Sequence, residues 1–400
     1  MKDAFLTAGI PASSPALYRQ IHFSAGDPAA LLEFPGIVEI PGAVPASGLA
    51  PTRTATKLLI LRDIENERAQ SQASVDFVAP PASFPPSGGL SGDRETATAQ
   101  SVAEAFRKMG VGRVTADRTL PLIYAEMLRR SGVEVVCDTE RGIVERRMKA
   151  YWEIEAVRKS QHDTEEVMEW ICQIIARAKA TSDGILVHDG QPLTSERTRS
   201  MIDMRLLELG YGNPASSIVA GRKDGGDCHS LGSGPLKTGE PVIVDIFPQS
   251  KESLYFGDCT RTVINGAADP FYLQMLEAVR AAKRAATEAI RPGVTGEVVH
   301  KATVAALESH GFGYASPGSS EAESEVRLTH GTGHGLGLSC HEPPLLDIGG
   351  PELLVGDIVS VEPGLYSKQW GGIRVEDMVV VTESGAANLG HPIPETLDWQ

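Results

Sequence analysis

The sequence predicts an α+β protein with a smaller N-terminal α/β domain at residues 1–147 and a larger domain at residues 148–400. Its 400 residues exceed what a single hydrophobic core usually supports. Helical and extended patterns alternate between residues 98 and 136, which is typical of a small α/β layer. Beyond residue 151, amphipathic helices alternate with paired extended segments, which favours antiparallel ribbons packed on helices.

In the N-terminal domain, residues 1–50 are rich in Pro, Ala and Gly and are predicted to form an irregular, partly docked arm. The apolar run Leu58–Leu61 predicts a buried strand. Residues 79–93 contain four prolines and three glycines, which excludes a regular element. The later segments predict a helix at 98–109, a strand at 113–116, a helix at 122–131 and a strand at 133–136.

The larger domain begins with a predicted helix from Tyr151 to about Ala180, because apolar residues recur there at three- and four-residue steps. A second helix is predicted after Asp269 as N-cap with Pro270 at its first position, and a third between Thr295 and Gly311. Two hairpins are predicted, one joining 242–246 to 254–263 and the other joining 358–361 to 373–381.

The stretch from His330 to His341 places three imidazoles within twelve residues, interleaved with glycines that let the backbone approach a site closely. Acidic residues flank it on both sides. A turn centred between Lys251 and Glu252 would place Asp245 directly opposite Asp258. Like charges that face each other destabilise a ribbon unless a cation lies between them, so the pair indicates a divalent metal.

Glu362 and Glu376 repeat this arrangement, fourteen residues apart, with glycines in the connection. Arg374 precedes Glu376 by two residues, so in a strand both side chains share one face. Four carboxylates and the imidazole of His334 can therefore enclose two divalent cations, which is the ligand set of a dinuclear metal hydrolase.

Composition excludes several classes of function. The net charge of −15 and the pI near 5.2 argue against a nucleic-acid partner. No apolar run approaches the ~18 residues of a membrane span, and the N-terminus lacks the pattern of a secretory signal. Five scattered cysteines without a CxxC pair favour free thiols in a reducing compartment, so we expect a cytoplasmic protein. For the thiols near the acidic residues, packed small side chains are favoured over nucleophiles.

At these residues the chain closely resembles the pita-bread metallopeptidases, which include methionine aminopeptidase, aminopeptidase P, prolidase and creatinase. The resemblance covers roughly residues 148–385, and the N-terminal domain favours the aminopeptidase P, prolidase and creatinase branch. The matching motifs occur in the family's order: Val244-Asp245, Gly257-Asp258-Cys-Thr-Arg-Thr262, His330-Gly-Thr-Gly-His334 through His341-Glu342-Pro343, Val361-Glu362-Pro-Gly364 and Arg374-Val-Glu376.

The resemblance implies a pita-bread catalytic domain preceded by a creatinase N-terminal-like domain, and a homodimer or higher homo-oligomer. It implies that Glu362 is also the general base, that His341 and His229 face the substrate, and that His330 lies at the cleft wall. The five metal ligands it implies are Asp245, Asp258, His334, Glu362 and Glu376. Mn²⁺ is favoured, with Co²⁺, Zn²⁺ and Fe²⁺ as alternatives.

The chain departs from the family in one respect: the spacing between Asp245 and Asp258 is two residues longer than the family's usual spacing. An insertion of two residues at the turn keeps both side chains on the same face of the ribbon, so we expect the ligands to be retained.

The predicted activity is an Xaa-Pro aminopeptidase that acts on peptides with proline at the second position. No Arg or Lys occurs between Gly335 and Val361, where prolidases resemble one another in placing a guanidinium for the dipeptide carboxylate. Arg374 or a neighbouring subunit remains a candidate for that substrate contact, so a prolidase stays open as the alternative. A creatinase-like C–N hydrolase and a non-catalytic binding module are further alternatives, although no metal ligand is missing.

Overall fold

The computed structural model describes residues 2–47, 54–315 and 325–400, which divide into two compact units, Met1–Arg146 and Arg147–Gln400. Helix α5, Val144–Arg147, spans the division. No described helix is both long enough and apolar enough to cross a membrane.

Unit 1 is built on a mixed sheet of seven described strands in the order β3-β5-β4-β2-β1-β6-β7. Its strands are β1 Lys2–Gly9, β2 Ala29–Pro35, β3 Val44–Pro45, β4 Ala55–Ile60, β5 Phe77–Ala79, β6 Val111–Asp117 and β7 Glu134–Asp138. Its other helices are α1 Pro15–Ile21, α2 Asp63–Gln72, α3 Arg94–Lys108 and α4 Leu122–Arg130. The α/β alternation predicted for residues 98–136 is present, although α3 begins four residues earlier, where the Asp93 side chain caps it.

The prediction of an irregular arm at the N-terminus is wrong for residues 2–47. Strands β1 and β2 lie in the middle of the sheet, and the side chains of Leu6, Leu31 and Leu32 are fully buried. Prolines sit at the ends of these elements and not inside them, so their number gave a false signal of irregularity. Residues 48–50 of that prediction lie outside the described residues.

Unit 2 has four long helices, α6 Tyr151–Arg177, α7 Ser195–Glu208, α8 Pro270–Ala289 and α9 Gly296–Ser309, within the residues described. The three helices predicted here are confirmed, including the caps Asp269 and Thr295. The fourth, α7, was not predicted; its mixture of polar and apolar residues lacks a clear stripe, and Ile202 and Leu206 are its buried large apolar residues.

The described strands of unit 2 form several small sheets. They are β8 Lys179–Ala180, β9 Leu186–His188, β10 Gln191–Pro192, β11 Tyr211–Gly212, β12 Ile218–Gly221, β13 Pro241–Ile246, β14 Gln249–Ser250, β15 Cys259–Ile264, β16 Gly313–Tyr314, β17 Arg327–Leu328, β18 Gly333–Gly335, β19 Glu342–Leu346, β20 Ile358–Val361, β21 Gly364–Ser367, β22 Gly371–Arg374, β23 Asp377–Thr382 and β24 Gly385–Asn388. The three sheets that matter for the site have the orders β12-β13-β15, β16-β17-β21-β22 and β19-β18-β20-β23-β24.

The apolar stripe of α6 packs on the strands that carry the two aspartates. Met168, Ile171 and Ile175 from the helix share one buried cluster with Val242 and Val244 from β13. Each fully buried aliphatic side chain contributes roughly 1.5–3 kcal/mol, so the strands under the site are firmly held.

The second predicted hairpin is only partly present. Strand β20 pairs with β23, but the predicted strand at 373–381 is broken at Val375 and Glu376. Its first half, β22, pairs instead with β21 in a different sheet. The break places Glu376 where two sheets meet.

Candidate metal centre and active site

Asp245 lies near the end of β13 and Asp258 immediately precedes β15. The prediction that they face each other directly is wrong, because Asp245 is paired with Thr260 and the register differs by two residues. An even displacement keeps a side chain on the same face of a ribbon. Both carboxylates are buried, and the Asp258 backbone N–H donates to Gln161 Oε1 of α6 at 2.9 Å.

His334 is the middle residue of β18, and Glu362 directly follows the adjacent strand β20. The His334 Nδ1–H donates to Gly335 O at 3.1 Å, which leaves Nε2 with its lone pair free to bind a metal. That Nε2 lies 3.3 Å from Glu362 Oε1 and 3.7 Å from Asp258 Oδ2. Ser360 Oγ accepts from His334 N and donates to Glu362 Oε1 at 3.2 Å, so one hydroxyl orients both residues.

Glu376 occupies the break between β22 and β23, where contacts from β15 hold it. Its N–H donates to Thr260 O at 3.1 Å, and its carbonyl accepts from Arg261 Nη1 at 2.6 Å. Thr260 Oγ1 donates to Glu376 Oε2 at 2.8 Å. The ligand atoms of Asp258, His334 and Glu376 lie within 4.8 Å of one another, which is close enough to bind one ion.

The cluster is electrostatically costly without a cation. Burial raises the pKa of Asp258 well above its usual range, and the neighbouring carboxylates raise it further. Burial and the same neighbours raise the pKa of Glu376. The pKa of Glu362 rises to about 7, because burial and the Asp245 charge outweigh the opposing effect of Arg374.

A divalent metal fits these residues. Asp245 Oδ1 is buried and has no hydrogen-bond partner among the described residues, so it is an acceptor in need of a cation. The donor set has four carboxylates and one imidazole, which suits hard to borderline divalent ions.

A chain of hydrogen bonds runs behind the carboxylates. Arg374 Nη2 donates to Asp245 Oδ2 at 2.6 Å, and its Nη1 donates to Tyr366 OH at 3.0 Å. Tyr366 OH lies 2.8 Å from His330 Nε2, while His330 Nδ1–H donates to Gly331 O at 2.7 Å. Burial and the Arg374 charge lower the pKa of His330 to about 3, so the imidazole is neutral and Tyr366 is the donor to it.

Every site residue predicted from the sequence lines one cavity of about 250 Å³. The ring of His341 lies against that of His334, with centroids 4.0 Å apart, and desolvation and this neighbour lower the pKa of His341. His229 and His341 are exposed at the cavity wall. The predicted residues that line the cavity are Asp245, Asp258, His334, Glu362, Glu376, His229, His341, His330 and Arg374.

Residues 155–383, more than half of the chain, match the profile of Metallopeptidase family M24. The chain belongs to this family. The M24 match spans all the residues of the cavity described above.

Two relatives and two solved structures illustrate the likeness. A probable dipeptidase PepE of Mycobacterium bovis is 30% identical over 274 residues, covering 68% of this chain and 62% of that protein. An Xaa-Pro dipeptidase of Pyrococcus furiosus is 30% identical over 155 residues, covering 38% and 40%. The chain thus spans less than two thirds of the length of these relatives.

The crystal structure of an X-Pro aminopeptidase from Thermotoga maritima has a TM-score of 0.76 at 20% identity, covering 99% of this chain and 97% of that one. A prolidase from Pyrococcus furiosus has a TM-score of 0.71 at 18% identity, covering 98% and 97%. These structures confirm the α+β, pita-bread fold predicted from the sequence.

Sequence reasoning missed four residues behind the predicted ligands. Gln161, Thr260 and Ser360 hydrogen-bond Asp258, Glu376 and Glu362, and Tyr366 bonds Arg374 and His330. A signal existed for two of them. Thr260 and Ser360 each stand two positions from a predicted ligand, so in an extended segment they share its face. Gln161 and Tyr366 carry no such local signal, because their partners are distant in sequence.

Gly333 of β18 lies so close to β20 that its substitution tests whether packing positions the neighbouring His334. A Cβ added at Gly333 would lie 2.0 Å from Ser360 O, which is backbone and cannot turn away. We expect Gly333→Ala to displace His334, to destabilise the protein by about 1–3 kcal/mol and to weaken metal binding. Denaturant unfolding and metal titration measure both effects. Gly313→Ala is the control, since a Cβ there meets nothing within 4 Å; equal behaviour of the two variants would contradict the packing argument.

Proposed function

We propose that this chain is a dinuclear-metal-dependent Xaa-Pro aminopeptidase, which removes an N-terminal residue that precedes proline. The observation that carries the proposal is the convergence of Asp245, Asp258, His334, Glu362 and Glu376 on one cavity within the M24 match. A pair of divalent cations would offset the charge of the four carboxylates, which protein groups compensate only in part through Arg374.

The five residues would hold the two ions, for which we propose Mn²⁺, with Co²⁺, Zn²⁺ or Fe²⁺ as alternatives. When bound, such ions polarise a scissile carbonyl and make water a nucleophile at neutral pH. Glu362 would accept the proton of the attacking water and return it to the departing proline nitrogen, and Ser360 holds its carboxylate in position.

The three imidazoles at the cavity wall suit different roles towards the substrate. The lowered pKa of His341 keeps its ring neutral near pH 7, so one ring N–H can donate to the oxygen that gains negative charge during attack. We assign the peptide backbone to His229, which is exposed on the same cavity. His330 already bonds protein atoms through both ring nitrogens, which suits a cavity wall.

Two observations point to different specificities. Among the described residues that line the cavity, Arg374 is the one Arg or Lys, and its guanidinium bonds Asp245, Tyr366, Thr260 and Cys228 O. A dipeptide carboxylate would have to compete with these partners, which favours an aminopeptidase. The second candidate, an Xaa-Pro dipeptidase, is favoured by the names of relatives such as the Pyrococcus furiosus protein.

The deciding experiment compares turnover of Gly-Pro with turnover of a longer Xaa-Pro-Xaa peptide by the Mn²⁺-loaded protein. We expect the longer peptide to lose its first residue with the higher kcat/KM. Exclusive turnover of the dipeptide would assign the prolidase activity instead. A matched peptide with alanine at the second position checks the requirement for proline.

The variant His341→Ala is expected to keep its metal and to turn over more slowly, by about 10²–10⁴-fold, because a donor to the developing oxyanion is lost. Metal content by elemental analysis and kcat on the longer peptide give the two readouts. Loss of metal in this variant would mean that His341 is a ligand, which is a different role.

We further propose that unit 1 is a creatinase N-terminal-like domain and that the protein is a cytoplasmic homodimer or higher homo-oligomer. Light scattering on the purified protein measures the oligomeric state, and a monomeric mass would contradict that part of the proposal.

A further inference from the structure

A second group of metal-binding side chains lies beside the carboxylate site. Asp227, Cys228 and His229 are consecutive, and one ligand atom from each lies within 4.8 Å of the other two. Cys228 and His229 line the cavity, whereas Asp227 is exposed. The thiol is half-buried and the imidazole is exposed, so an ion from solvent can reach both.

The distance between the sulfur and the nitrogen matches a shared metal ion. Zinc binds a thiolate at about 2.3 Å and an imidazole nitrogen at about 2.0–2.1 Å, and a tetrahedral angle between them sets the two donors about 3.6 Å apart. Cys228 Sγ and His229 Nδ1 are 3.7 Å apart. Little movement is therefore needed to bring both donors onto one cation.

The backbone of this loop is held in place before any ion binds. Asp227 Oδ1 accepts from His229 N at 2.9 Å, and Arg374 Nη1 donates to Cys228 O at 3.2 Å. Gly226 packs so closely that an added Cβ would lie 2.6 Å from Ser367 O. A fixed loop loses little conformational entropy on binding, which favours a real site over a chance cluster.

We propose that Asp227, Cys228 and His229 form a separate binding site for a thiophilic divalent cation such as Zn²⁺ or Cd²⁺. Its sulfur, nitrogen and oxygen donors are softer than the carboxylate-rich set, so this site prefers thiophilic ions to Mn²⁺. Binding of the cation is independent of the proposed peptidase function. Its consequence rests on that function: an ion on His229 removes this imidazole from the substrate and inhibits turnover.

The test uses Cd²⁺, because its bond to a thiolate gives an ultraviolet charge-transfer absorption. The protein is loaded with Mn²⁺ and carries Cys137→Ser, which removes the exposed thiol of unit 1. We expect one equivalent of Cd²⁺ to produce the thiolate absorption, and Cys228→Ser to abolish it. Asp227→Asn, which keeps the acceptor for His229 N, is expected to weaken Cd²⁺ binding at least ~10-fold.

Cys340→Ser is the matched control, since Cys340 also lines the cavity and lies 3.6 Å from Asp258 Oδ2. The absorption should persist in this variant. Persistence of the absorption in Cys228→Ser would overturn the site. Its loss in Cys340→Ser would also overturn the site and would place the ion at the carboxylate centre.

Peptidase assays then separate the site from the proposed function. Cys228→Ser should turn over peptide like the parent protein but resist inhibition by Cd²⁺. A Cd²⁺–thiolate absorption without any peptidase activity in the parent would leave the site intact and refute the proposed function. Equal inhibition of parent and Cys228→Ser would refute the inhibitory role.

Discussion

Replacing His334 with alanine is expected to abolish peptidase activity and to remove most of the bound metal. In the proposed ligand set His334 supplies the one nitrogen donor, and its Nε2 lies 3.7 Å from Asp258 Oδ2 and 3.3 Å from Glu362 Oε1. Loss of a residue that merely orients a ligand costs about 10–100-fold in affinity or activity, so loss of the ligand should cost more than ~100-fold. Asp258→Ala should behave alike, because the same three-residue cluster loses a carboxylate.

Elemental analysis after purification and kcat/KM on an Xaa-Pro-Xaa peptide are the measurements. His310→Ala is the matched control, since His310 is an exposed histidine at the end of α9, away from the cavity. In the presence of a chelator, His334→Ala and the parent protein should unfold at similar temperatures, which separates loss of metal from loss of fold. Parent-like metal content and turnover in His334→Ala would refute the assignment of the centre.

Which residues converge on this cavity was predictable from the sequence, whereas the register of the strands that carry them was not. The faces of Asp245 and Asp258 follow from the period of two in a strand. Their pairing depends on the turn between β13 and β15, which lies one residue later than predicted, between Glu252 and Ser253. Leu254 there adopts a positive φ of 63°, an unusual conformation for a branched residue that the sequence does not signal.

The position of Glu376 shows a second limit of local reasoning. Its strand is interrupted because Arg261, 115 residues earlier, supplies the hydrogen bond that a continuous ladder would have supplied to the Glu376 carbonyl. Gln161 of α6 is a second case, since its side chain is buried and accepts a hydrogen bond from the backbone N–H of Asp258, 97 residues later. Patterns of period 2 and 3.6 report which face is buried, but they do not report which distant partner a polar residue meets.

The stability of the metal-free protein is expected to depend strongly on Glu362. We expect Glu362→Gln to be more stable than the parent by about 3 kcal/mol at pH 8, because the change from 4.5 to about 7 in the Glu362 pKa corresponds to roughly that free energy. The sign follows from a raised carboxyl pKa. The Glu362 contribution to stability is fully present below its unfolded pKa and is lost as the pH rises through about 7.

The advantage of the glutamine variant should therefore shrink as the pH is lowered from 8 towards 5. Denaturant unfolding in the presence of a chelator, at several pH values, gives the difference between the two proteins and cancels the titration of groups that they share. Glu383→Gln, at an exposed turn between β23 and β24, is the control and should show no such dependence. A constant difference between the parent and Glu362→Gln from pH 5 to pH 8 would contradict the raised pKa.

Adding Mn²⁺ is expected to reverse the order of stability. A ligand present at about 1,000 times its Kd stabilises the folded state by about 4.1 kcal/mol, which exceeds the advantage of about 3 kcal/mol that the metal-free glutamine variant has, and only the parent retains the carboxylate that helps to bind the ion. Protons compete with the ion for Asp258, Glu362 and Glu376, whose pKa values are all raised, so the stabilisation should grow from pH 5 to pH 8. Burying these charged carboxylates costs the metal-free protein free energy, and binding of the cations offsets that cost. If Mn²⁺ stabilised the two proteins equally, Glu362 would not belong to the metal centre.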